Sequence, residues 1–266
     1  MKSTFGSKRD SRRDSEMAPV VVAEDLHLEF EVQRQMSTGL RGQFIKLFSS
    51  PIKTMLEKNE LLRALDGINF EAYNGDRIAL VGRNGAGKST LCRVLTGIYK
   101  PTRGKVETRG TVRSIIDPAA TVFPDLTGRE NARLLMGLLY PDLREEFEDY
   151  LQEVLEFSGL GNFLDTPFRH YSNGMQTRLC LSVATCRPAN IFILDEVFDG
   201  ADQEFRARVS KRMLQLIEKS GVVFFVSHSE SQVRNICNKA LLLHEGKVLE
   251  FGAVENIFES YTKLSK

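Results

Sequence analysis

Gly82, Arg83, Asn84, Gly85, Ala86, Gly87, Lys88 and Ser89 follow one another in the order GxxxxGK[ST]. Residue types in this order suit the holding of a phosphate chain. The glycines let backbone N–H groups turn inward around an anion, and a helix N-terminus adds partial positive charge. Lys88 is placed to reach the terminal phosphates, and the Ser89 hydroxyl to ligate magnesium. Asp76-Arg-Ile-Ala-Leu-Val81 before the loop reads as a buried strand, and Thr90-Leu-Cys-Arg-Val-Leu-Thr96 after it has helical spacing. The alternative, a structural turn matched by chance, is weakened by these flanks. The expectation is a nucleotide-binding loop.

Ile191-Phe-Ile-Leu-Asp195-Glu196 is an apolar strand ending in two carboxylates. Beside a phosphate loop, Asp195 can hold magnesium directly or through water, and Glu196 can orient or deprotonate an attacking water. The pair is a weak signal alone and gains meaning downstream of a phosphate loop. Tyr171-Ser-Asn-Gly-Met175 opens a helix, with Ser172 as N-cap and Gly174 permitting close approach. By itself it marks only a helix start. The four cysteines, Cys92, Cys180, Cys186 and Cys237, lie in apolar contexts without CxxC spacing and read as reduced, buried thiols.

Several elements must position these groups. Val20–Ala23 and Leu26–Val32 read as strands, and so does Leu61–Tyr73, followed by a hairpin signal at Asn74-Gly75. Two short strands are expected around a glycine turn between Gly104 and Ile116. Residues 128–160 are helix-rich with a break at Pro141, and Arg178–Cys186 continues as helix. Ile191–Leu194 and Val222–Val226 are buried strands. Ala240–His244 and Lys247–Glu250 flank a hairpin at Glu245-Gly246, and a helix over Val254–Lys263 follows. The pattern predicts an α/β fold: a parallel-sheet nucleotide core, an antiparallel β edge and a helical subdomain at about 125–185. Residues 1–19 are polar and read as a disordered tail without a secretory signal, leaving 20–266 as one domain.

Composition excludes several classes. Thirty-six basic and 35 acidic residues leave a formal net charge of +1, so no bulk charge argues for nucleic acid. No apolar run is long enough to span a bilayer.

The order of the motifs resembles the ATP-binding subunits of ABC transporters, over about Val20 to Tyr261. Ser172, Asn173, Gly174 and Met175 stand where that family has Ser-Gly-Gly-Gln. Asp202, six residues after Glu196, matches the aspartate of a loop crossing the dimer interface. His228 matches the switch histidine that senses the γ-phosphate. Asp117, in Ser114-Ile-Ile-Asp-Pro118, stands in the glutamine-loop region and becomes a metal-site candidate beside Ser89 and Asp195. Phe30 stands where the family stacks an aromatic on adenine; a core aromatic on an edge strand is the equal alternative. Asn173, Met175 and Asp199-Gly-Ala201 depart from the family pattern.

A narrower resemblance is to subunits of bacterial exporters of O-antigen, capsule or teichoic acid. It rests on Tyr171–Met175, on Leu126-Thr-Gly-Arg-Glu-Asn131 with a capping box of Thr127 and Glu130, and on Asp195–Phe205. The resemblance implies an ATPase with ATP and Mg2+ as ligands and Lys88, Glu196 and His228 as catalytic residues. Two copies would pair head to tail, each nucleotide lying between Gly82–Thr90 of one and Ser172–Gly174 of the other. It also implies an integral-membrane permease partner, a place on the cytoplasmic face of the inner membrane, and no nucleic-acid partner. In an insertion at about 34–60, Leu40, Phe44, Leu47 and Phe48 fall on one helical face and Arg41, Gln43 and Lys46 fall away from it. Such a helix can meet a membrane surface or a permease, or pack on its own domain; the resemblance favours the permease. Some relatives carry a C-terminal glycan-binding domain; none is expected after Tyr261 here, so substrate choice is expected to lie with the membrane partner. The alternative class is a soluble ABC-type ATPase acting on nucleic acid or ribosomes.

Overall fold

The computed structural model describes residues 18–32, 60–115, 122–195, 202–227 and 229–264. The insertion at about 34–60, nearly all of the expected tail, and Asp117, Glu196 and His228 fall outside these residues.

Nine strands are described: β1 (Val21–Val32), β2 (Glu60–Ala72), β3 (Arg77–Val81), β4 (Arg103–Thr108), β5 (Val112–Ile115), β6 (Ile191–Asp195), β7 (Val222–Val226), β8 (Lys239–His244) and β9 (Lys247–Ala253). They form two sheets, an antiparallel one in the order β2-β1-β4 and a six-stranded one in the order β5-β6-β7-β3-β8-β9. In the larger sheet all neighbours are parallel except β9, which runs back along β8 from the turn at Glu245-Gly246. The antiparallel part of the molecule is thus more than an edge strand; most of it is a separate sheet. The helices are α1 (Lys88–Leu95), α2 (Gly128–Leu139), α3 (Phe147–Ser158), α4 (Asn173–Ala184), α5 (Gln203–Lys219), α6 (Glu230–Ile236) and α7 (Val254–Leu264). No helix among the described residues is long and apolar enough to cross a membrane.

Strand alternation divides the central core. Ile78, Leu80, Ile191, Ile193, Val222 and Phe224 face the smaller sheet and α1. Ala79, Val81, Phe192, Leu194, Val223 and Phe225 face α5, α6 and α7. Both faces are covered, which is why these strands are continuous apolar runs. A third core, built on Leu135, Met136, Tyr140, Leu151, Val154, Leu179 and Val183, holds α2, α3 and α4 together.

The turn at Asn74-Gly75 differs from expectation. Tyr73 N donates to Asp76 Oδ2 at 2.9 Å, so the turn forms. It does not close a hairpin, because β2 and β3 belong to different sheets. The reason is burial: β3 is apolar on both faces and needs cover on both, which only the centre of the parallel sheet supplies.

Candidate nucleotide-binding site

The parallel sheet brings three strand ends to one edge. β7 lies between β3 and β6, so Val81, Asp195 and Val226 finish side by side. This is the edge where open α/β sheets bind ligands.

The glycine loop leaves β3 here. Gly82 is fixed by space: a Cβ on it would lie 2.3 Å from the Leu243 carbonyl oxygen. Gly87 has φ 106°, and a Cβ there would lie 2.9 Å from Ala64 O. The loop rests on the β8–β9 turn, where Gly246 N donates to Ala86 O at 3.0 Å and Asp66 N to Gly246 O at 2.8 Å. Above this floor Arg83, Asn84 and Gly85 are exposed, and Lys88, Ser89 and Thr90 are half-buried. Lys88 Nζ donates to Gly82 O at 2.8 Å and to Arg83 O at 3.1 Å, so the ammonium arches back over the loop.

α1 begins at Gly87 with no side-chain cap and no acidic residue in its first turn. With no side-chain oxygen capping it, this helix N-terminus suits an anion, which the helix dipole favours. Asp195 ends β6 half-buried, close enough to α1 that its charge, after burial, helps to push the Cys92 thiol up. Backbone N–H groups, one ammonium, two hydroxyls and a carboxylate make a donor set that suits a polyphosphate with a hard divalent cation. A cavity of about 240 Å³ adjoins the loop, with Gly82, Lys88, Ser227, Glu230, Phe258 and Tyr261 in its walls. Glu196 and His228 directly follow Asp195 and Ser227 in the chain.

The Ser172 segment sits on the helical unit. Ser172 is exposed and accepts from Met175 N at 3.3 Å, capping α4 as the sequence predicts. Asn173 is exposed and Gly174 half-buried, whereas Met175, which replaces a glutamine, packs against the third core. The Tyr171 hydroxyl donates to Phe163 O at 2.7 Å and lies over Gly128, where a Cβ would meet it at 1.9 Å. The segments 126–131 and 171–175 are therefore packed on each other. Thr127 and Glu130 form the expected capping box.

Asn131, the last residue of the 126–131 segment, has a structural role that the motif alone does not announce. It is buried and anchors the turn before α2, accepting from Phe123 N at 2.8 Å and donating to Phe123 O, Leu126 O and Thr127 O. An amide on the buried side of an amphipathic helix was the available signal, since such a group needs partners.

Asp202 caps α5, accepting from Phe205 N at 3.0 Å, and pairs with Arg178 of α4 at 2.7 Å. Phe30 meets Tyr99 edge-on, ring centroids 5.4 Å apart, and rests partly on the first core.

The fold and the loop define a nucleotide-binding α/β domain of the phosphate-loop kind. The family model described as ABC transporter matches residues 65–199, and the chain belongs to that family, among its ATP-binding, ATP-hydrolysing subunits. It is 35% identical to the O-antigen export system ATP-binding protein RfbB of Klebsiella pneumoniae, over 92% of this chain and 98% of that protein. It is 33% identical to the O-antigen export system ATP-binding protein RfbE of Yersinia enterocolitica, over 86% and 96%. It is 38% identical to the teichoic acids export ATP-binding protein TagH of Enterococcus faecalis, over 74% of this chain and 44% of that protein. Among solved structures, an ATP-binding cassette captured as a dimer in a post-hydrolysis state with ADP and Pi matches with a TM-score of 0.65 at 19% identity, over 88% of this chain and 98% of that one. An ATP-binding subunit of an ABC transporter matches with a TM-score of 0.65 at 21% identity, over 91% and 93%. At these identities the likeness shows the fold.

Proposed function

We propose that this chain hydrolyses ATP to drive export of a polysaccharide or lipid-linked glycan through a partner permease, from the cytoplasmic face of the membrane. The observation that carries this reading is the match to an O-antigen export ATP-binding protein along almost its whole length.

In this reading the N–H groups of Gly85–Thr90 and the Lys88 ammonium bind the phosphates. Ser89 and Asp195 would hold magnesium, with Asp117 as a further candidate ligand. Bound there, the ion would supply charge neutralisation for the phosphates. Glu196 takes the proton of the attacking water, and His228 fixes the terminal phosphate. Phe30 offers a ring face to the base. Ser172, Asn173, Gly174 and Met175 complete the site of a second copy, head to tail, with Asp202 beside that interface. The separation of α1 and α4 into different cores supports a shared site.

Two measurements test the reading. Glu196→Gln is expected to bind ATP, hydrolyse it very slowly and collect as a dimer in MgATP on gel filtration, because an amide cannot accept the proton. Near-normal turnover would move the catalytic carboxylate elsewhere. Affinity purification from membranes is expected to bring down a polytopic permease; recovery with ribosomes or nucleic acid instead would favour the other class.

A further inference from the structure

Ser172 stands on the helical unit and the phosphate loop on the sheet, so the angle between these bodies matters to any site they share. One largely buried side chain crosses the junction. Arg113, on β5, has a side chain only 8% exposed. On the sheet side its Nη1 donates to Pro188 O at 2.5 Å, in the segment that leads into β6. On the helical side its Nη2 donates to Asp142 Oδ1 at 2.7 Å, between α2 and α3. Its guanidinium carbon lies 4.5 Å from the centroid of the Tyr140 ring.

Tyr140 carries the connection onward. It is 1% exposed and ends α2. Its hydroxyl is shared between Val183 O at 2.8 Å and Ala184 O at 3.0 Å, the last carbonyls of α4. The other end of α4 is Ser172. On the opposite side β5 pairs with β6 up to Ile115 and Leu194, one residue short of Asp195, and runs into the segment that holds Asp117. Planar guanidinium, ring and carbonyls thus join the Asp195 strand to α4 through fixed geometry.

We propose that Arg113 and Tyr140 are positioning residues for ATP-driven pairing of two copies: they set the direction of α4, and so of Ser172, against the sheet that carries the phosphate loop. A buried guanidinium with all its partners in place resists intermediate arrangements, because each lost partner leaves a buried charge or carbonyl unsatisfied. Lysine lacks the planar fork that reaches a carbonyl, a carboxylate and a ring at once. The inference rests on the reading that Ser172–Gly174 completes the neighbour's nucleotide site.

The test uses the full chain with Glu196→Gln, which holds the ATP-bound dimer. Affinity for a fluorescent ATP analogue and MgATP-dependent dimerisation by sedimentation are measured side by side. Arg113→Met is expected to keep nucleotide affinity within about twofold and to weaken dimerisation on the order of tenfold. Arg113→Lys is expected to recover little of it. Tyr140→Phe keeps the ring, loses only the bonds to α4, and is expected to weaken dimerisation several-fold. If Arg113→Met does not fold, this milder variant decides the matter. The double variant Arg113→Met/Tyr140→Phe is expected to be no worse than Arg113→Met, as for two parts of one joint. Unchanged dimerisation in Tyr140→Phe and Arg113→Met overturns the inference, and so does a parallel loss of nucleotide affinity, which marks general unfolding. Failure of Glu196→Gln to dimerise with Arg113 intact overturns the shared-site reading beneath it.

Discussion

Arg178 Nη2 lies 2.7 Å from Asp202 Oδ2, so the helix that begins at Ser172 is tied to the helix that follows Asp195 and Glu196. Asp202 also caps that second helix. One carboxylate therefore fixes both the entry of α5 and the flank of α4. In the proposed dimer a change at Asp202 would be felt by α4 of the same copy.

This pair has a pH signature. The Phe205 N–H first, and then Arg178, hold the Asp202 carboxyl below the usual carboxylate range. A folded-state pKa below the unfolded value of about 4 stabilises the fold above that pH, and the contribution fades as pH falls through the lowered value. Asp202→Asn keeps a capping side chain and removes the charge. Its urea midpoint is expected to fall below that of the unaltered chain at pH 7, with the gap closing as pH falls below about 4. A gap that stays the same as pH falls below about 4 would show that the charge does not matter. Because the group is exposed, added salt is expected to shrink the gap at pH 7.

Gly128→Ala tests the contact between the two subfamily motifs. The new methyl would overlap the Tyr171 hydroxyl, so α2 or the tyrosine must move. A loss of about 1–3 kcal/mol in urea unfolding is expected. ATP binding by the isolated chain is expected to survive, since the loop lies on another core. Unaltered stability would mean that the tyrosine moves aside freely.

Lys88→Ala is expected to weaken ATP binding by on the order of tenfold or more, the effect of losing a charge-assisted contact to phosphate. In the free chain the same lysine donates to two carbonyls of its own exposed loop, and stability is expected to change little. Fluorescent-nucleotide titration beside thermal melting separates the two, and intact affinity would sink the phosphate-loop assignment.

The thiols are expected to be silent. Cys92, Cys180, Cys186 and Cys237 are all buried, and burial pushes Cys186 and Cys237 up to about 12 and Cys92 higher still. With so little thiolate, a disulfide reagent at pH 7.5 should react slowly with native protein and rapidly with all four after urea. Fast labelling of the native chain would place a thiol at the surface.

Local chemistry was legible in the sequence wherever a single segment decides it. The Ser172 cap, the Thr127–Glu130 capping box, the turn at Glu245-Gly246 and the strand–loop–helix around Lys88 each follow from neighbours in the chain. Partners far apart were not legible. The turn signal at Asn74-Gly75 does not say which sheet the next strand joins; only the unbroken apolar run beyond it, with its need for cover on both faces, points away from a hairpin. Nothing near Arg113 predicts Pro188, Tyr140 and Asp142 around its guanidinium. Asp202 matched a family loop by spacing, but its bond to Arg178 needed two helices to be packed first.

The β-hairpin tip under the phosphate loop has a consequence for synthesis. Residues 82–89 leave the ribosome long before Leu243 and Gly246, whose carbonyl and N–H meet Gly82 and Ala86. A nascent chain that already holds the complete motif has no floor beneath it. ATP capture is thus a late event in the making of this protein, and a chain broken before β8 would carry every letter of the motif without the cradle.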